Sequence, residues 1–558
     1  MTAQVKNKHA LVWALKINQE HIPALVLITL IETGKAYIHI LMALISKRVI
    51  DHAVAGCWQQ FRISSIQLIA CVLGLVICTA EAIHLREKTS ALMDRTWKKK
   101  LMHILLYADY PSVSAYHSGD LLNRLNQDVL RIDGGLLSFA PDICSMLTRF
   151  IASFAIVASF ELEFSILLVS GIMILIGFAG IMRRFLKKLY IRISEADGRV
   201  LGFIQEILEN LIVIQAMDVA EEIEKREEIL LERRWKLQRI KKNKHILLSS
   251  GMSFVSNFTG MFSIIWCARS MIMGNMSFGT LVAITQLVEQ MKIPMLGFAN
   301  VISSLFVMEA SAERLMELQD IQNCEAKALE CKSLYKRMSG ILAKNLRFSY
   351  EKGQEIVFPD FMISKNTFCS IVGPSGKGKS TLLKLMMGIY NPIDGELCIE
   401  TQTSEQISLN RLTRGIFAYV PQGNLLFSGT LKENILLTNP DASQEEILHA
   451  VHVSGLDEWI AGLTKGLDTE IGENAIGISE GQAQRISIAR AVLSDSPILL
   501  LDECTSALDA DTERQVLQNL ARLPDRTIIA VTHRPAALEL SDTVISVMSE
   551  ESEEQHDS

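Results

Sequence analysis

Six stretches in the first 310 residues are almost wholly apolar: 24–46, 64–83, 139–160, 164–182, 246–273 and 280–307. Each is about long enough to cross a ~30 Å hydrocarbon layer as a helix. The pattern therefore predicts six membrane-spanning helices with both chain ends on one side. Polar segments between spans two and three, and between four and five, are too long for turns and keep a helical period, which carries those helices beyond the bilayer. Near the start, Lys6, Lys8, Trp13 and Lys16 alternate with apolar residues, the pattern of an amphipathic helix lying in the interface. The polar stretch 320–337 reads as a linker. Beyond it, Thr367–Val372 and Ile498–Leu501 read as strands, the second apolar throughout as a buried parallel strand is. The expected organisation is a transmembrane domain over 1–319, a linker over 320–337, a second, strand-containing domain over 338–548 and an acidic tail over 549–558.

Composition supports the first half of that plan. A hydrophobic share of 49% with a mean hydropathy of +0.24 over 558 residues is more apolar than a soluble protein needs. Lys98–Lys100, Arg183, Arg184, Lys187, Lys188 and the basic residues from Arg233 to Lys244 flank alternate span ends, which puts those loops on the cytoplasmic side. The net charge of −7 includes the acidic end Glu550–Ser558, a solvated tail, and implies no nucleic acid. Ten cysteines without CxxC spacing argue for reduced thiols packed as small hydrophobes and against a metal site. Neither a cleavable signal peptide nor a leader-cleaving cysteine-protease domain is expected ahead of the first span.

Chemistry is concentrated in the second half. Gly373, Pro374, Ser375, Gly376, Lys377, Gly378, Lys379, Ser380 and Thr381 fit the phosphate-loop pattern GxxxxGK[ST] without substitution, between a strand and a helix beginning near Lys379. Glycines let the backbone turn its amides onto phosphate oxygens, the helix adds its positive end, Lys379 supplies charge and Ser380 is placed to ligate Mg²⁺. The strand Ile498–Leu501 ends in Asp502 and Glu503. Carboxylates at a strand's C-terminal end face the ligand crevice, so Asp502 is placed to hold Mg²⁺ through water and Glu503 to act as general base.

With these residues and the run Ile478, Ser479, Glu480, Gly481, Gln482, the chain resembles the ATP-binding cassette (ABC) family over residues 338 to 548. The resemblance implies further roles. Tyr350 is similar to the aromatic that stacks on adenine, and Gln422 to the glutamine that touches Mg²⁺ and the attacking water. Ser479, Gly481 and Gln482 are similar to the signature motif that closes on the γ-phosphate held by the opposite subunit. Ser506–Asp509 resembles the loop that crosses the dimer interface, and His533 the histidine that contacts the γ-phosphate. Ile478 and Glu480 depart from the usual Leu-Ser-Gly-Gly-Gln; Glu480 is expected to be tolerated, whereas a carboxylate turned inward would repel phosphate. Lys377 is expected to be a solvated lysine.

The membrane half resembles fused exporters. His117–Leu125 with Asp128 is similar to the first intracellular loop of that family, Glu206–Ala216 to the second, and Thr469–Glu473 to the exporter-type segment that touches those loops. The implied fold is an α-helical six-span domain fused to a P-loop α/β ATPase of ABC type. The implied function is ATP-driven export of a hydrophobic or amphipathic molecule, peptide or lipid by a dimer, identical or paired with a paralogue, in a bacterial inner membrane. A type-IV-fold importer, a lipid flippase and a nucleotide-gated channel or regulator stay open. Inside the spans, Glu32, Lys35 and His39 share one helical face, with Asn257 and Arg269 in span five and Glu289, Gln290 and Lys292 in span six. Either some of them contact a polar cargo, or Glu32 and Lys35 satisfy each other. Pro294 is expected to mark a kink.

Overall fold

The computed structural model describes residues 12–116, 118–168, 189, 192–193, 196–208, 210–319, 321, 331–350, 355–423, 426–472 and 477–547. Lys6, Lys8, most of span four, the four basic residues from Arg183 to Lys188, most of the expected linker, Glu473 and the acidic tail lie outside them. The chain divides into two compact units, Met1–Leu106 with His117–Asp320, and Tyr107–Tyr116 with Ile321–Ser558.

The first unit is helical. Its long helices are α1 (Ile22–Val54), α2 (Trp58–Tyr107), α3 (Val129–Phe160), α4 (Ala220–Ile272) and α5 (Phe278–Gln319). By length and composition, three described segments suffice to cross a membrane: Gln19–Val54, Trp58–Tyr107 and Ser118–Phe160. The expected fifth and sixth spans lie within α4 and α5, where Ser, Thr, Asn and Gly, together with Glu289 and Lys292, dilute the apolar run. Ile66, Ile69, Leu73, Val76 and Ile77 of α2 are exposed. A continuous aliphatic surface of this kind is suited to lipid. The other face of the bundle closes on Ile40, Val157, Phe164, Cys267, Ile284, Leu287 and Met291, all buried. Pro294 lies inside the continuous helix α5.

The second unit holds a parallel sheet, order β12-β4-β11-β10-β7, formed by β4 (Phe368–Val372), β7 (Phe417–Val420), β10 (Ile498–Asp502), β11 (Thr527–Val531) and β12 (Thr543–Ser546). All residues of β10 and β11 are buried, as a central parallel strand covered on both faces requires. An antiparallel sheet is built around β1 (Met338–Phe348) and β5 (Asp394–Thr401). The flanking helices that matter for the site are α6 (Lys379–Met386), α7 (Glu480–Leu493) and α8 (Ala510–Ala521).

One short helix inserted between the membrane helices belongs to this second unit. Tyr107–Tyr116 clusters with it, Arg411 donates to the Tyr107 carbonyl at 2.8 Å, and the Tyr110 ring meets Tyr390 edge-on at 6.3 Å. The segment that packs with the ATPase residues thus precedes His117–Asp128, the stretch singled out by its text.

Candidate nucleotide site

β4 runs into the phosphate loop and α6 leaves it. Gly378 caps α6 at φ +96°, a left-handed conformation that a side chain strains, and a Cβ there would lie 3.0 Å from Ile356. Lys379 is buried and its ammonium donates to the Gly373 and Pro374 carbonyls at 2.7 and 3.0 Å. Its charge is thereby fixed within the loop, at the helix end whose amides already favour an anion. Pro374–Lys377 are exposed, Lys377 among them as expected of a solvated lysine.

The carboxylates end β10 on the same side as the loop's helix. Ser380 donates to Asp502 Oδ1 at 2.9 Å and Tyr419 donates to Oδ2 at 3.0 Å. Burial first, then the Asp502 charge, pushes the Tyr419 hydroxyl well above its ordinary range, so it remains a donor. Gln422 Nε2 donates to Glu503 Oε2 at 2.8 Å, and His533 Nε2 stands 4.0 Å from Glu503 Oε1. Glu503 itself has φ +49°, a strained backbone conformation for a non-glycine residue, held by its backbone N–H donating to the Val531 carbonyl at 3.0 Å. Next to it, burial pushes the Cys504 thiol up to about 12, which leaves it inert packing. The site therefore holds two bonded sets, Ser380–Asp502–Tyr419 and Gln422–Glu503–His533, joined by the adjacency of Asp502 and Glu503 in the chain, while Lys379, next to Ser380, bonds the loop carbonyls.

Tyr350 joins the same loop through its hydroxyl, 2.9 Å from Thr381 Oγ1. Its ring stands edge-on to Phe348 at 4.9 Å and to Tyr390 at 5.5 Å, and is 42% exposed, which leaves ring surface for a base to stack on.

The signature residues form a second group. Ser479 caps α7, accepting from Gln482 N while Gln482 Oε1 accepts from Ser479 N at 2.9 Å, a reciprocal box worth about 1 kcal/mol. Glu480 is exposed at the first position of α7, where the helix dipole favours a carboxylate. Gly481 packs on the Ser506–Asp509 loop so closely that a Cβ would lie 2.9 Å from the Ala507 carbonyl. Gln484, buried one turn on, ties α7 to that loop through Ser506 Oγ at 3.1 Å and Ala507 N at 3.2 Å. Buried Glu513 and Arg534 hold the loop from the other side, Thr505 donating to Glu513 at 2.8 Å and Arg534 to the Ser506 carbonyl at 2.6 Å. Asp509 caps α8 by accepting from Thr512 N, which holds its carboxyl below the usual range.

Tyr419, Gln484, Glu513 and Arg534 escaped the sequence reading. Tyr419 sits on a strand just ahead of Gln422, and that adjacency is the one available signal; the others act through tertiary contacts with no spacing of their own.

Two family models match, "ABC transporter transmembrane region" over residues 25–295 and "ABC transporter" over residues 359–506. The chain belongs to the ABC transporter superfamily. Its membrane region and its ATP-binding domain are fused in one polypeptide. Relatives include the exotoxin translocation ATP-binding protein PaxB of Pasteurella aerogenes, 33% identical over 50% of this chain and 39% of that protein. The ABC transporter ATP-binding protein YfiC of Bacillus subtilis (strain 168) is 27% identical over 78% of this chain and 72% of its own length. This chain spans about two fifths of the toxin-translocation relatives. A bacterial Atm1-family ABC exporter with ATP bound shares the fold, with a TM-score of 0.79, 22% identity and coverage of 95% and 93% of the two chains.

Outside the ATPase unit, the Ser118–Asp128 segment is braced to the last long helix, His117 lying outside the described residues. Asp120 binds Arg124 Nε at 2.8 Å and Arg314 at 2.7 Å, and Arg124 reaches Glu317 at 3.0 Å. Asp128, fully buried at the end of a π-helical turn (Arg124–Asp128), accepts from Ser311 at 2.9 Å and Arg131 at 3.2 Å. Within the spans, Glu32 pairs with Lys35 at 3.0 Å and Glu289 with Lys292 at 2.6 Å. The plainer reading of Glu32 and Lys35 is the one the structure bears out.

Proposed function

We propose that this chain is one half of a dimeric exporter that couples ATP hydrolysis to inward and outward opening of its membrane helices. The observation that carries the reading is the Gln422–Glu503–His533 group beside the Ser380–Asp502 bond, in a chain whose other half is an ABC membrane region. Tyr350 stacks on adenine, and the amides of Gly373–Thr381 with Lys379 hold the β- and γ-phosphates. Glu503 takes a proton from the water that attacks the γ-phosphoryl group, Gln422 orients that water, and His533 contacts the γ-phosphate. The Ser380 hydroxyl, the Asp502 carboxylate and the Gln422 amide oxygen are hard oxygen donors that suit Mg²⁺, Asp502 through water. Bound there, the ion neutralises charge on the phosphates.

Ser479, Gly481 and Gln482 close on ATP held by a second copy or a paralogue, so each site is composite. Two features support a partner. The signature turn is exposed, and the helix Leu211–Ala216 carries exposed Leu211, Ile212 and Val213, apolar surface that a second chain would cover. ATP favours the closed pair of ATPase domains by its higher affinity for that state, and hydrolysis resets it. The basic segments lie in the cytoplasm of a bacterium and the spans in its inner membrane.

The test is ATP turnover of the chain in lipid nanodiscs beside Glu503→Gln, with the oligomeric mass of the same sample. A dimer whose turnover falls at least about 100-fold on substitution supports the reading. Turnover indifferent to Glu503→Gln overturns the general base, and hydrolysis by a monomer overturns the composite site.

A further inference from the structure

We propose that the membrane unit holds a binding site for an anionic group carried on an apolar molecule, centred on the Arg149 guanidinium. Arg149 lies ten residues into the 139–160 stretch, about 15 Å from either end at ~1.5 Å per residue, and its partner Gln290 lies ten residues into 280–307, about 15 Å from the start of that stretch. The two meet near mid-bilayer. Arg149 donates to the Gln290 side-chain oxygen, a neutral acceptor. The carboxylate acting on it electrostatically is Glu32, which is already bonded to Lys35 at 3.0 Å and stands 4.0 Å from Arg86.

Charge at this level does not balance. Lys35 and Arg149 share Glu32 as their carboxylate, whereas Arg86, three residues past the 64–83 stretch, and Asp142, three residues into 139–160, lie toward the ends of the spans and act on each other. Among the described residues, two cations against one carboxylate leave one positive charge at the level of Arg149. His39, neutral or protonated, supplies no anion. Residues 164–194 contain no Asp or Glu, so the fourth span brings no countercharge from this chain. Glu289, next to Gln290 in the chain, is itself bonded to Lys292 at 2.6 Å.

A guanidinium half-buried among apolar helices and bonded to an amide retains, among the described contacts, donors in a planar fork that fits a carboxylate or phosphate. Excess charge at mid-bilayer is expensive unless an anion meets it. The surrounding helices supply aliphatic surface for the rest of such a molecule. The inference deepens the export reading by naming a cargo class, and it rests on that reading only for the molecule's being moved.

The experiment is equilibrium binding of radiolabelled decyl phosphate to the full chain in phosphatidylcholine nanodiscs, with protein-free nanodiscs subtracted and decyltrimethylammonium and decyl maltoside as competitors sharing the tail. Saturable binding is expected, with either competitor at least about tenfold weaker than decyl phosphate itself. Arg149→Gln should weaken binding about tenfold or more, and Arg149→Lys should restore part of it. Competition equal among the three headgroups, or tight binding retained by correctly assembled Arg149→Gln, overturns the site. The wild-type headgroup series decides the matter even where the variant fails to fold. Repeating the measurement with phosphatidylglycerol in the nanodisc separates the sources. If it competes, the anion is a membrane lipid; if it does not, a soluble amphiphile; both results support an anion site. ATP turnover on the same preparation keeps the two proposals apart: silent ATPase with selective binding sinks the export reading alone, and active ATPase without headgroup selectivity sinks this site alone.

Discussion

The two units solve the problem of placing charge in opposite ways. In the ATPase unit the reacting groups stand at strand ends and in a glycine-rich turn, outside a core of fully buried aliphatic strands. Their partners are supplied by the strands themselves: Asp502 and Glu503 end β10, and Gln422 follows β7, which pairs with β10 in parallel register. In the membrane unit the charged groups sit inside the helices, with aliphatic side chains turned outward. There each charge needs a partner from another helix or from the next turn, as Glu32–Lys35 and Arg149–Gln290 show. A sheet lets a site be built outside the core. A bundle in lipid has to build its site within it.

Removing the Lys379 cation is the severest way to test the first half of this contrast. Lys379→Ala should lower ATP turnover at least about 100-fold while the fold persists, since the ammonium bonds only loop carbonyls among the described contacts; a turnover assay with circular dichroism checks this. Next comes the backbone contact of the signature turn. Gly481→Ala places a Cβ 2.9 Å from the Ala507 carbonyl, so turnover should fall about tenfold to 100-fold while nucleotide affinity of the open protein, read by a fluorescent ATP analogue, changes less than about threefold.

The membrane unit should answer in stability. Asp128→Ala removes the fully buried acceptor of Ser311 and Arg131 and the partner of Arg314, so thermal unfolding in nanodiscs should show a loss of about 2–4 kcal/mol, with Asp128→Asn losing less. An unchanged midpoint would show that the brace carries little load. The smallest effect is expected at the departure from the family signature. Glu480→Gly exchanges an exposed first-turn carboxylate for the common residue, and turnover should change less than about threefold.

How much of this was legible in sequence differs between the units for a physical reason. The phosphate loop and the Asp502–Glu503 pair were readable because backbone geometry ties them to short, fixed spacings, whereas Gln422 and His533 came only with the resemblance to the ABC family. The strand at 498 showed itself by four consecutive apolar residues, as a strand covered on both faces must. Gln484, Glu513 and Arg534 were not readable: each holds the Ser506–Asp509 loop from a different helix or turn, and the contact depends on how those elements pack. The same holds for Tyr107–Tyr116, a short polar-aromatic segment whose place with the ATPase residues follows from Tyr390 and Arg411, about 300 residues away in the chain.

By itself the sequence determined that this protein has an apolar helical half and an ATP-binding half, because hydrocarbon thickness dictates the length of apolar runs and phosphate geometry dictates where glycine and lysine must stand. Only the tertiary structure decided which charges meet. It paired Glu32 with Lys35, gave Arg149 a neutral amide, and buried Asp128 against Ser311. Electrostatic energy depends on distance through space, and residues far apart along a chain acquire such distances only when helices pack.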